Sequence, residues 1–201
     1  MICMGSSIGT AAGISRATDQ PVVAFIGDST FFHAGIPGLI NAVHNQHKFL
    51  LVILDNGTTA MTGHQPHPGV KPAPPGYGGQ RIDLVKLVQA LGVEAVEVVH
   101  PLQYDKNLPT VKELLRQSGV RVLISRTPCI LYVQRLSKSK QPRTFYVGPK
   151  CQDCRHCLDY FGCPALHPSL VASQGGRMVI DEALCAGCGF CAQWCEAIHA
   201  K

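Results

Sequence analysis

Cysteine is the residue in this sequence with the most chemistry to offer. Of ten cysteines, eight fall between Cys151 and Cys195, and the other two are Cys3 and Cys129. The eight form two groups: Cys151, Cys154, Cys157 and then Cys163, and Cys185, Cys188, Cys191 and then Cys195. Each group is C-x2-C-x2-C with a distal cysteine. Three thiolates at that spacing wrap three corners of an iron–sulfur cubane on one short loop, and the fourth corner needs a cysteine from elsewhere. Structural zinc sites use pairs of C-x2-C, so a third cysteine three residues on is surplus to them. A disulfide framework spreads its cysteines more evenly, and no basic segment followed by a long apolar block marks the N-terminus for secretion. The compartment implied is the cytosol.

In the two-cluster ferredoxin pattern, the distal cysteine of one group serves the other group's cluster. On that pattern Cys151, Cys154, Cys157 and Cys195 hold cluster I, and Cys163, Cys185, Cys188 and Cys191 hold cluster II. Two features depart from it. Five residues separate Cys157 from Cys163 where three are usual, and Glu196 stands where a proline usually follows the last cysteine.

A second constellation lies upstream. Gly27-Asp28-Ser29 and Asp55-Asn56 each follow an apolar run, and Asp28 and Asn56 are one strand–helix–strand unit apart. Two hard oxygen ligands at neighbouring strand ends suit Mg2+ and a phosphate-bearing ligand. Gly27 permits close backbone approach, while Ser29 and Thr30 can donate to phosphate oxygens at a helix N-terminus. An Asp after a strand is also a common helix cap, and Asp-Asn a common turn, so spacing alone leaves both readings open.

The elements that must position these groups follow from periodicity. Val22–Ile26 and Phe49–Leu54 are continuous apolar runs, as parallel strands covered on both faces require. Ala95–Val99 and Val120–Ile124 are further strands. Ile36, Leu39, Ile40 and Val43 recur at helical spacing, with Pro37 in the first turn. So do Leu84, Leu87, Val88 and Leu91, and Leu108, Val111, Leu114 and Leu115. The order implies an α/β fold with an open parallel sheet and right-handed crossovers, followed by a small ferredoxin-like α+β module. The boundaries expected are 1–135 for the α/β domain, 136–143 for a basic linker and 144–201 for the cysteine module. Residues 57–81 are rich in Gly and Pro, and a loop of that length after a strand end points to function.

The spacing of Gly-Asp-Ser and Asp-Asn resembles the signature of thiamine diphosphate enzymes. MICMGSSIG, GDSTFFHAGIPGLINAVHN, LDNGTTAMTGHQPHPG and the first cysteine group together resemble the alpha subunit of indolepyruvate ferredoxin oxidoreductases. The resemblance implies that Asp28, Asn56 and the backbone carbonyl of Thr58 ligate Mg2+, and that Gly27, Ser29 and Thr30 line the diphosphate. It places Cys3, Met4, Gly5 and Ser6 near the thiamine rings. Asp55 and Ser29 stand where the wider signature has Asn and Gly. Family members are longer and begin with a pyrimidine-binding domain, so a fragment or split chain is expected that needs that half and a second, beta subunit. The activity implied is oxidative decarboxylation of a 2-oxoacid, an aryl pyruvate such as indolepyruvate, with coenzyme A as acyl acceptor and ferredoxin as electron acceptor. The alternative is a ferredoxin-type carrier on a non-catalytic scaffold, and a third reading is a zinc-stabilised interaction module.

Catalytic acid–base residues are not legible. His33 is a weak candidate, with His64 and His67 behind it, because imidazole titrates near neutrality. Cap and loop roles are the bland alternative for all three. Met61 reads as packing, Cys129 as a structural thiol and Trp194 as a shield for a cluster. A net charge of +5, scattered along the chain, gives no nucleic-acid footprint. No run of 18 apolar residues suggests a membrane span.

Overall fold

The structure, a computed structural model, describes residues 3–71, 79–136, 143–169 and 177–201. Part of loop 57–81 (72–78) and most of linker 136–143 (137–142) therefore lie outside the described residues. The chain divides into two compact units, Met1–Tyr132 and Val133–Lys201.

In the first unit, α1 (Ser6–Ala17) leads into β1 (Val23–Gly27). A helical segment follows in three pieces: α2 (Asp28–Thr30), a π-helical turn (Phe31–Gly35) and α3 (Ile36–His44). Then come β2 (Phe49–Asp55), α4 (Leu84–Ala90), β3 (Ala95–Val99), α5 (Tyr104–Arg116) and β4 (Val120–Arg126), and α6 (Ile130–Leu136) runs across the division into the second unit. The four strands form one parallel sheet in the order β1-β2-β4-β3. β2 is central, and its alternating side chains serve two cores. Phe49, Leu51 and Ile53 pack with Ile8, Leu39 and Val88 on one face. Leu50 and Val52 pack with Leu114 of α5 and Leu123 of β4 on the other. Full burial of each such side chain contributes roughly 1.5–3 kcal/mol, which explains why the run reads as continuously apolar.

The same expectation fails for β1. Ala24 and Ile26 are buried, but Phe25 is 59% exposed. β1 is an edge strand, and α5 covers only the neighbouring part of that face, so an unbroken apolar run here does not mean two covered faces. Ile40 likewise faces out of the α3 stripe. α5 begins four residues before the apolar pattern and tolerates Pro109 inside it.

Asp83 caps α4: its Oδ1 accepts from Val85 N at 2.9 Å and Lys86 N at 3.1 Å. The Lys86 amide leads in holding its carboxyl below the ordinary value of 3.8. Asp83→Ala is expected to cost about 1 kcal/mol at neutral pH. A depressed folded value means this stability is present above the unfolded value and is lost as pH falls through the folded one. Urea titrations of both proteins should converge below pH 3.8; a gap of constant size would contradict the cap.

The second unit is built from two antiparallel ribbons. β5 (Phe145–Val147) pairs with β8 (Ile198–Ala200), and β6 (Leu166–Pro168) pairs with β7 (Met178–Ile180). With α7 (His156–Phe161) they enclose Phe145, Cys157, Leu166, Met178 and Ile198.

Candidate functional site

β1 and β2 run parallel with Gly27 opposite Leu54, so their carboxyl ends are side by side. Asp28 begins the helical segment after β1 and is 2% exposed. Its Oδ1 accepts from Ser29 N at 2.7 Å. Its Oδ2 accepts from Gly57 N at 2.8 Å, on the loop after β2. Oδ2 also lies 3.0 Å from Nε2 of His67, itself buried. The carboxylate thus joins three stretches of chain at the sheet's edge.

Beside it, Asn56 Oδ1 accepts from Thr58 N at 3.0 Å, closing an Asx turn. Thr58 is buried, and its carbonyl accepts from Ala60 N at 3.0 Å. Ser29 Oγ and Thr59 Oγ1 are hydrogen-bonded at 2.8 Å. Gly27 has an ordinary negative φ, and a Cβ there would meet no atom within 4 Å. No neighbour in this chain therefore demands glycine at 27, as fits close approach by a ligand. The acceptors gathered here are a carboxylate, a side-chain amide and a peptide carbonyl, all hard oxygens of the type Mg2+ takes. The residues present fit that ion.

Asp55, the departure from the usual Asn, has a partner of its own. Arg126 Nε donates to its Oδ2 at 2.6 Å, across the β2–β4 register pair Asp55 and Arg126. The backbone carbonyls of Asp55 and Asn56 accept from Thr127 N and Cys129 N, both at 3.0 Å. Cys129 thereby helps fix the Asn56 turn through its backbone.

The turn at Cys3–Ser6 reaches this region by packing. Gly5 has φ +89°, and a Cβ there would come within 2.7 Å of the Ala34 Cβ in the π-helical turn after Asp28. Ser6 donates to the Cys3 carbonyl from both its amide and its hydroxyl, and Cys3 and Met4 are exposed. His33 is exposed, with Nδ1 2.9 Å from the Ser29 carbonyl. His64 stacks on Tyr132 with ring centroids 4.9 Å apart. Met61 is 86% exposed, so it does not pack as expected.

Four pairings escaped the sequence: His67 with Asp28, Gly57 with Asp28, Thr59 with Ser29, and Arg126 with Asp55. Each is a contact between residues far apart in sequence, which periodicity does not report. The available signal was the crowding of polar residues after β2.

None of the ten cysteines is in a disulfide. In the second unit Cys151, Cys154, Cys157 and Cys195 line one cavity of about 430 Å³, with Trp194 and Glu196 at its wall. Burial pushes the Cys157 thiol up, and the charges of Cys195, Cys154 and Cys151 add to it. Burial also pushes Cys191 up to about 11, with Cys188, Cys163 and Cys185 adding to it. Each set of four is one triplet joined by the distal cysteine of the other group. The two triplet loops also share a backbone form: Asp153 and Arg155 flank Cys154 with positive φ, and Gly187 and Gly189 flank Cys188 with positive φ. Left-handed backbone costs about 1–2 kcal/mol at non-glycine residues, so its repetition at Asp153 and Arg155 points to a required loop shape. Tyr160 stacks on Trp194, and Phe161 meets Trp194 edge-on. Among the described residues, no three or more Cys, His, Asp or Glu side chains are gathered so as to hold one metal ion.

Comparison with known proteins bears on the first unit most directly. The thiamine pyrophosphate enzyme C-terminal TPP binding domain matches residues 1–125. Indolepyruvate oxidoreductase subunit IorA of Methanothermobacter thermautotrophicus is 47% identical over 198 residues, covering 98% of this chain and 31% of that protein. The subunit of the same name from Archaeoglobus fulgidus is 44% identical over 195 residues, covering 96% of this chain and 30% of its own length. This chain thus spans about a third of the length of these curated relatives. Among solved structures, a 2-oxoglutarate:ferredoxin oxidoreductase from Magnetococcus marinus shares the fold, with TM-score 0.56 and 21% identity over 62% of this chain and 45% of that one. The chain belongs to the thiamine pyrophosphate enzymes and carries their C-terminal TPP-binding domain.

Proposed function

We propose that this chain is the cofactor- and cluster-bearing portion of a 2-oxoacid:ferredoxin oxidoreductase acting on an aryl pyruvate, with indolepyruvate as the substrate suggested by its relatives' names. The observation that carries the reading is the conjunction, in one chain, of a buried carboxylate at the β1–β2 edge with two cysteine quartets, each a triplet joined by the other group's distal cysteine. Asp28, the Asn56 side chain and the Thr58 carbonyl hold Mg2+. Gly27, Ser29 and Thr30 line the diphosphate. Bound there, thiamine diphosphate supplies the electron sink for decarboxylation. The cysteine quartets hold two 4Fe-4S clusters. A single zinc ion needs four sulfurs about 2.3 Å from one point, whereas a cubane spreads its thiolates over four corners and suits the wider cavity.

The chain's share of the chemistry is to orient the cofactor, compensate charge and keep water from the reacting centre. Two electrons leave for each acid oxidised. Clusters held by the two cysteine quartets would supply the one-electron carriers to two ferredoxins, with coenzyme A as the acyl acceptor and carbon dioxide as the other product. The rest of the relatives' length, with its pyrimidine-binding half, and a beta subunit complete the site.

The test is reconstitution. The chain with intact clusters is mixed with the remaining segment and beta subunit of a relative, indolepyruvate, coenzyme A and a viologen acceptor. Viologen reduction that requires both Mg2+ and thiamine diphosphate is expected. Clusters that reduce with dithionite but never with substrate would support an electron carrier on a non-catalytic scaffold instead.

A further inference from the structure

We propose that His67 is a positioning residue for the metal site: a neutral imidazole that donates from Nε2 to Asp28 Oδ2 and thereby turns Oδ1 toward the cation. This inference rests on the Mg2+ reading above and adds a residue to it. The donor roles follow from the ring's other nitrogen. Gly69 N donates to His67 Nδ1 at 3.1 Å, so Nδ1 is the acceptor and carries no proton. The proton therefore sits on Nε2, 3.0 Å from Asp28 Oδ2.

The two carboxylate oxygens are then unequal. Oδ2 is taken by His67 and by the Gly57 amide, whereas Oδ1 has the Ser29 amide alone. Oδ1 keeps the acceptor capacity a cation can use. None of these three partners is a cation, so the carboxylate's negative charge is left for the metal to meet.

The ring is fixed from two further sides. Phe32 stacks on His67 with centroids 5.6 Å apart and planes at 29°. A Cβ at Gly69 would sit 2.6 Å from Phe32 Cε2 and 3.0 Å from His67 Cε1. Glycine at 69 therefore permits the stack and supplies the amide that sets the tautomer. Phe32 lies in the helical segment that Asp28 begins and His67 on the stretch after β2, so the arrangement ties the metal carboxylate to both. Partners of this kind, hydrogen-bonded behind a ligating group, typically change metal affinity 10–100-fold when removed.

The test uses Mn2+ as the probe, titrated into the full chain with thiamine diphosphate and followed by electron paramagnetic resonance. His67→Phe keeps the ring stack and deletes the donor; a 10–100-fold loss of Mn2+ affinity is expected. His67→Gln places an amide N–H near the former Nε2, and should recover most of the affinity. Gly69→Ala should fall with His67→Phe. Long-range 15N spectra of the wild type should show His67 as the Nε2–H tautomer. Wild-type affinity in His67→Phe, or an Nδ1–H tautomer, would overturn the role of His67. Equal losses in His67→Phe and His67→Gln, matched to equal losses of melting temperature, would make the residue merely structural. A wild type that never binds Mn2+ would overturn the metal reading itself, and the proposal with it.

Discussion

Cys195→Ser is expected to lose one cluster of two, and the lost one belongs to Cys151, Cys154 and Cys157. Iron should fall from about eight to about four atoms per chain after anaerobic reconstitution. The reason is the placement of Cys195, which lines the cavity of the first triplet although its neighbours in sequence are the second. The same logic makes Cys163→Ser remove the cluster of Cys185, Cys188 and Cys191, whose Cys191 feels the Cys163 charge. Double variants separate this from local ligation, because residues acting as one unit are not additive. Cys195→Ser with Cys151→Ser should lose no more iron than either alone. Cys195→Ser with Cys185→Ser should lose nearly all of it. The opposite pattern would mean that each group closes on its own distal cysteine.

Asp28→Ala carries the second large effect, in two separable parts. The metal-free protein should lose on the order of 3 kcal/mol, because the amides of Ser29 and Gly57 and the His67 Nε2–H lose a shared acceptor in a buried place. Mn2+ binding with thiamine diphosphate should fall by more than about 100-fold, beyond the range seen for outer partners. Urea unfolding reads the first part and paramagnetic resonance the second. Destabilisation with unchanged Mn2+ affinity would leave Asp28 a structural cap, which is the bland role its position after a strand also allows.

Much of the fold was legible because the sheet is parallel and mostly covered. Phe49–Leu54 and Val120–Ile124 announced themselves as buried strands, and the strand–helix alternation set the direction of the crossovers. Phe25 shows the limit: apolarity does not say whether a strand is central or at an edge. α1 escaped periodicity, since Ser6–Ala17 buries only Ile8, Ala11 and Ala12 and its small residues leave a weak stripe. At the site, Asp28 and Asn56 were legible from their position after strands, and the cysteines from spacing. The hydrogen bonds that make Asp28 a junction were not. Gly57 and His67 meet it from 29 and 39 residues away, and only the folded loop brings them there. The pairing of Asp55 with Arg126 depends on β4 lying beside β2, a matter of sheet order that no local pattern carries.

The most direct test is calorimetric titration of thiamine diphosphate into the anaerobically reconstituted wild-type chain, with Mg2+ and with a chelator, alone and with the remaining segment of a relative. The account predicts one-to-one binding that requires Mg2+ and tightens when the remaining segment is present. No binding in any of these arrangements would contradict it, leaving a cluster-bearing carrier attached to a sheet that holds no cofactor.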